Sequence, residues 1–109
     1  MSDVTALTQD TFAAEVLEAE LPTLVDLWAE WCAPCRMLAP VVENLAREQV
    51  GRLKVAKLDV QENAALAAQY GVTTIPTLLL FVNGEVKERI VGYMPEQRIL
   101  ERLSAYLAG

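Results

Sequence analysis

The stretch TLLLFVNGEVKERIVG, residues 77–92, constrains the fold more than any other part of this chain. Two strand-like runs flank Asn83-Gly84, and that pair accepts the positive φ angles that a tight two-residue hairpin turn demands. The two runs therefore pair antiparallel. Upstream, strand-like and helical segments alternate, and strands joined through crossover helices run parallel. The expectation is a mixed sheet of the α/β class with helices on both faces.

Local signals place the other elements. Phe12, Ala13, Val16 and Leu17 recur at helical spacing, with Thr8 positioned to cap them. Pro22 resets the chain, and TLVDLWA reads as a buried strand with one carboxylate, Asp26, in its middle. A second helix is predicted from about Cys32 to Gln49, with Leu38, Val41, Val42, Leu45 and Ala46 on one face, Gly51 as the stop signal and Pro40 inside to kink it. RLKVAKLDV suits a central strand covered on both faces. NAALAAQYG reads as a short helix with Asn63 as cap and Gly71 as terminator, and Pro95 opens a final helix carrying Ile99, Leu100, Leu103 and Leu107. After an opening segment the order is β-α-β-α-β-β-α. At 109 residues, with no linker, repeat or low-complexity stretch, the expectation is a single domain over 1–109.

Charge narrows the partners. Fifteen acidic residues face nine basic ones with no histidine, a net charge of −6, so the cationic surface that nucleic acid or an anionic membrane requires is missing. The start, MSDVTALTQD, lacks the basic and apolar regions of a signal peptide, and the longest apolar runs cannot span a bilayer. The reading is a soluble, cytoplasmic protein. In that reducing compartment a permanent structural disulfide is rare, which directs attention to a transient use of the cysteines.

Both cysteines lie in AEWCAPCRMLAP, where a buried strand ends and a helix begins. Cys32 occupies the helix N-terminus, where free N–H groups and the helix dipole stabilise a thiolate. Cys35 is one turn further in, within disulfide reach and shielded, so the pair reads as an exposed nucleophile and a buried resolver. A structural zinc needs four ligands against two cysteines and no histidine here, which leaves only a site shared between subunits or completed by carboxylates, and haem attachment needs a histidine where Arg36 stands. Two unrelated buried thiols fit the strand-to-helix placement poorly. Redox chemistry without a metal is the favoured reading.

WAEWCAPC, Asp26 before it, Pro40 after it, QYG at 69–71, IPTLLLF, NGE and VG make the chain similar to the thioredoxin family along essentially its whole length. The resemblance implies a thioredoxin fold, with a central five-stranded mixed sheet flanked by four helices, and a general protein dithiol–disulfide reductase with no bound cofactor. Its implied partners are disulfide-containing client proteins and thioredoxin reductase, a flavin enzyme drawing on NADPH; a monomer is expected.

Alternation alone leaves open whether Asp26 faces solvent or the core. The resemblance implies a buried proton relay behind Cys35, with Lys57 as its charge partner. It also implies that Pro76 is a cis-proline facing the cysteines, and that Trp31, Ala33, Pro34, Thr74, Ile75, Val91, Gly92 and Tyr93 line a substrate groove around Cys32. Ala33 stands where glycine is usual and Tyr93 where a small residue is frequent, and both crowd that groove. Trp28 is assigned to core packing. Two other readings use the same residues: an oxidase or isomerase, for which Pro34 between the cysteines supplies no charge, and a rigid binding module in which the thiols are incidental.

Overall fold

The computed structural model describes residues 2–107. Five strands, β1 (Thr5–Ala6), β2 (Thr23–Trp28), β3 (Lys54–Asp59), β4 (Thr77–Val82) and β5 (Glu85–Val91), form one sheet in the order β1-β3-β2-β4-β5. β3 pairs parallel with both β1 and β2, whereas β4 pairs antiparallel with β2 and β5. The mixed sheet follows from the connections. The helical stretch Ala13–Leu17 between β1 and β2 and helix α1 (Ala33–Glu48) between β2 and β3 carry the parallel crossovers, α2 (Ala64–Gln69) leads from β3 to the antiparallel β4, and Asn83 at φ 52° and Gly84 at φ 80° close the hairpin. β1, at two residues, is too short to show any alternation and was not separable from its surroundings by residue pattern.

Strand alternation builds two cores. Leu24, Leu78, Leu80, Val55 and Ile90 point to one face of the sheet, where α1 and α3 (Glu96–Leu103) cover them with Leu38, Val42, Leu45, Ile99 and Leu103. Val25, Leu27, Ala56, Leu58, Leu79 and Phe81 point the other way and meet Phe12, Val16, Leu66 and Ala67. Phe12, Tyr70 and Phe81 stack with ring centroids 5.3–5.7 Å apart. By parity Asp26 and Trp28 share the α1 face with Leu24, and Lys57 shares it with Val55; this single geometric fact puts polar groups beneath the start of α1.

Several local expectations are corrected. The first helix is a π-helical stretch, Ala13–Leu17, in which Glu18 N–H donates to Ala13 O. Thr8 and Thr11 close the turn ahead of it, with Thr11 N–H donating to Thr8 Oγ1 at 3.3 Å. Asn63 stands at the start of α2 but its side chain caps nothing. It is instead a buried cross-link, accepting from Gln9 N–H and donating to Asp59 O, because satisfying a distant backbone amide removes a larger desolvation cost than a local cap at a wet helix end. β3 lies inside the sheet between β1 and β2 and is covered on both faces, as expected, with β2 at the middle of the five strands. α1 has Pro40 inside it as expected, whereas α3 gives way to a 3₁₀ turn at Ser104–Tyr106, before Leu107.

Candidate functional site

Cys32 sits at the N-cap of α1 with extended backbone, and its sulfur accepts from Cys35 N–H at 3.2 Å. Pro34, which has no N–H to leave unpaired, occupies the first turn. Cys32 and Cys35 are joined as a disulfide with Cα atoms 5.2 Å apart. Ala29, Cys32 and Cys35 form a small buried cluster against which Trp28, Val60 and Ile75 pack. In this oxidised state the expected contrast between an exposed and a shielded sulfur is absent. Cys32 is 5% exposed and Cys35 3%, because the bond draws both into the same apolar cluster.

Behind the pair lies a cavity of about 120 Å³ lined by Asp26, Trp28, Cys35, Arg36, Ala39 and Lys57. Asp26 is buried, and among the described residues its Oδ1 has no hydrogen-bond partner. Burial, which penalises the carboxylate, pushes its pKa up from 3.8 to about 7, against the pull of the Lys57 ammonium. Lys57 is the register partner of Asp26 across β2 and β3, and its Nζ lies 5.6 Å over the Trp28 ring. Trp28 therefore does more than fill the core: its ring walls the cavity, with Nε1 buried and unpartnered among the described residues. Arg36 and Trp28 were not singled out as site residues by the sequence. Nothing local marks them, since their place depends on β2 and β3 passing beneath α1.

In front of the pair, the Ile75-Pro76 bond is cis, and Ile75 O lies 3.9 Å from Cys32 Sγ. Gly92, at φ 88°, donates its N–H to Pro76 O at 2.8 Å, which brings the end of β5 beside the proline loop. Thr77 Oγ1 donates to Thr74 O and fixes the other side of that loop. Trp31 at 64% exposure, Tyr93 at 46%, and the exposed Ala33, Pro34, Thr74 and Val91 surround this opening, with Ile75 and Gly92 half-buried. Met37, one turn beyond Ala33 on the same helix, is a further exposed apolar side chain. Among the described residues no three histidine, cysteine or carboxylate side chains gather to hold a metal ion, and no helix is long and apolar enough to cross a membrane.

Comparison with known proteins agrees along nearly the whole chain. The thioredoxin family model matches residues 3–105. Thioredoxin 1 of a Nostoc species is 43% identical over 107 residues, covering 98% of this chain and all of the relative. Thioredoxin 1 of Synechococcus elongatus is 44% identical over the same length and coverage. A thioredoxin of Rickettsia felis is 43% identical over 95 residues, 87% of this chain and 90% of the relative.

Proposed function

The chain belongs to the thioredoxin family, and from that premise we propose a residue-level account of how its Cys32–Cys35 pair reduces the disulfides of client proteins. The protein is a thiol–disulfide oxidoreductase whose electrons are held in the cysteine pair, without a cofactor. The observation that carries the account is the placement of Cys32 at the mouth of α1 with Cys35 and the raised carboxyl of Asp26 behind it.

The reduced Cys32 thiolate, stabilised by Cys35 N–H and the helix N-terminus, attacks one sulfur of the client disulfide. A Cys32–client bond forms, the client's S–S bond breaks, and the departing client sulfur takes up a proton. Cys35 then gives its proton to Asp26 and attacks Cys32 Sγ, closing the internal disulfide and releasing the second client thiolate. Two electrons pass from the pair to the client. An acid with a pKa near 7 is suited to this step, since it can hold or release a proton at neutral pH. Lys57 keeps that value from rising further.

An extended client segment lies across the opening between Trp31 and Tyr93, with the Ile75 and Pro76 backbone beneath it and Ala33, Pro34, Thr74, Val91 and Gly92 completing the groove. Thioredoxin reductase returns the pair to the dithiol. The chain acts as a single domain over 1–109 in the cytoplasm, consistent with its acidic balance.

Cys32→Ser is expected to abolish disulfide reduction, and Cys35→Ser to accumulate covalent client adducts that dithiothreitol releases. Unaltered turnover in the first variant, or no adduct in the second, would refute the account. Adducts resolved by non-reducing electrophoresis also name the clients.

A further inference from the structure

The turn that carries Trp31 is held from outside itself. Cys32 N–H donates to Ala29 O at 3.2 Å, so residues 29–32 form a β-turn with Glu30 and Trp31 at its corners. Ala29 and Cys32 are buried and anchored, whereas Glu30 and Trp31 are exposed. The Glu30 carbonyl belongs to the central peptide of the turn, the unit that can rotate while both ends stay in place.

Arg36 acts on that carbonyl. Its main-chain N–H donates to Cys32 O at 3.2 Å, which places it one helical turn beyond Cys32, and its guanidinium reaches back so that Nη1 donates to Glu30 O at 2.7 Å. Among the described residues no carboxylate forms an ion pair with Arg36. The contact is therefore a donor directed at a backbone oxygen and not a charge pair.

Rotation of the same peptide would drive Trp31 toward positive φ, which a bulky L-residue disfavours, and Asn83 is the only non-glycine residue with positive φ among those described. Turn chemistry and the Arg36 contact thus favour the same orientation.

We infer that Arg36 is a positioning residue for client recognition: its guanidinium locks the central peptide of the Ala29–Cys32 turn and so holds Trp31 at the rim over which a client chain passes. The inference rests on Trp31 being a wall of the client groove. A lysine would supply a compact ammonium on a flexible stem in place of a planar fork, so it would hold the carbonyl less firmly. A loosened turn must be ordered each time a client docks, which weakens binding.

The test is single-turnover reduction by the pre-reduced protein, reading half-saturating concentration and limiting rate separately. The substrates are a disulfide-bonded protein and the small disulfide 5,5′-dithiobis(2-nitrobenzoate), and the variants are Arg36→Gln, Arg36→Lys, Trp31→Ala and the Trp31→Ala/Arg36→Gln double. Arg36→Gln is expected to raise the half-saturating protein concentration by about threefold to tenfold, the loss of one hydrogen bond, with Arg36→Lys between it and wild type. For Arg36→Gln the half-saturating concentration is expected to move more for the protein than for the small disulfide, with Arg36→Lys again intermediate, and the double variant is expected to bind no worse than Trp31→Ala alone.

Should Trp31→Ala leave protein binding unmoved, the groove reading fails and the inference with it. Should Trp31→Ala weaken binding while Arg36→Gln does not, or should the two effects add in full, the inference alone is overturned.

Discussion

Two places in this molecule hold carboxyl groups away from their ordinary acidity, and they do so by different means. Asp26 lies beneath α1, and burial pushes it up to about 7. Glu48, the last residue of α1, and Glu96, the first of α3, meet at the surface. There a hydrogen bond from one carboxyl to the other raises Glu48 and lowers Glu96, with Asn44 Nδ2 donating to Glu96 and Arg47 donating to Asn44. The surface contact is open to water, Asn44 and Arg47 help to bridge the two helices there, and the neighbouring Glu96 charge adds to the rise of Glu48. Asp26 has no such freedom. Its charge is opposed by desolvation that only Lys57 offsets, so the fold is less stable when Asp26 ionises. A carboxyl that holds its proton near neutral pH is built here by burial, whereas the helix-to-helix contact sits at the surface.

The largest effect that tests this contrast is on stability. The folded-state value of Asp26 lies above its unfolded value, so the folded protein binds the proton more tightly and stability falls as pH rises from about 4 to about 7. The rise from 3.8 to about 7 corresponds to about 4 kcal/mol at about 1.4 kcal/mol per pH unit. Asp26→Asn should therefore be several kcal/mol more stable than the parent to urea at about pH 9, with the gap closing by about pH 4. A gap independent of pH would mean that burial does not govern this carboxyl.

An intermediate effect comes from Lys57→Met. Removing the only attraction named for Asp26 sends its titration above 7, so the fall in stability extends to higher pH and reaches roughly 1–2 kcal/mol beyond the parent in alkaline buffer. The midpoint is measurable from the carboxyl stretch in infrared difference spectra; a downward move would contradict the assignment of Lys57.

The smallest effect belongs to the surface. In Glu96→Gln, Glu48 loses the hydrogen bond that is the main cause of its raised value and should titrate lower, as followed by carboxyl-carbon NMR. The urea midpoint should not move beyond experimental scatter, since exposed pairs contribute little. A clear loss of stability would erase the distinction between the two places.

Legibility followed the range of the signal. The Asn83-Gly84 turn, the α1 start at the cysteines and the Gly71 terminator at φ 68° all depend on residues within a few positions of one another, and each was readable. Asn63 misled because its side chain serves Gln9, 54 residues away, and a local cap signature carries no trace of that demand. Trp28 misled for a related reason: an aromatic in an apolar strand looks like packing until Lys57 and the cysteines arrive around it.

The amino-acid sequence by itself determined the order of elements, the antiparallel hairpin and two cysteines one helical turn apart at a helix mouth, because periodicity, turn chemistry and capping are local. Tertiary structure alone decided that Asp26 faces inward beneath α1, that Lys57 stands opposite it in register, and that the Pro76 and Gly92 backbones close against each other before the disulfide. A strand's alternation defines two faces without saying which one a helix will cover, and that choice is made only when distant segments bury their apolar surfaces together.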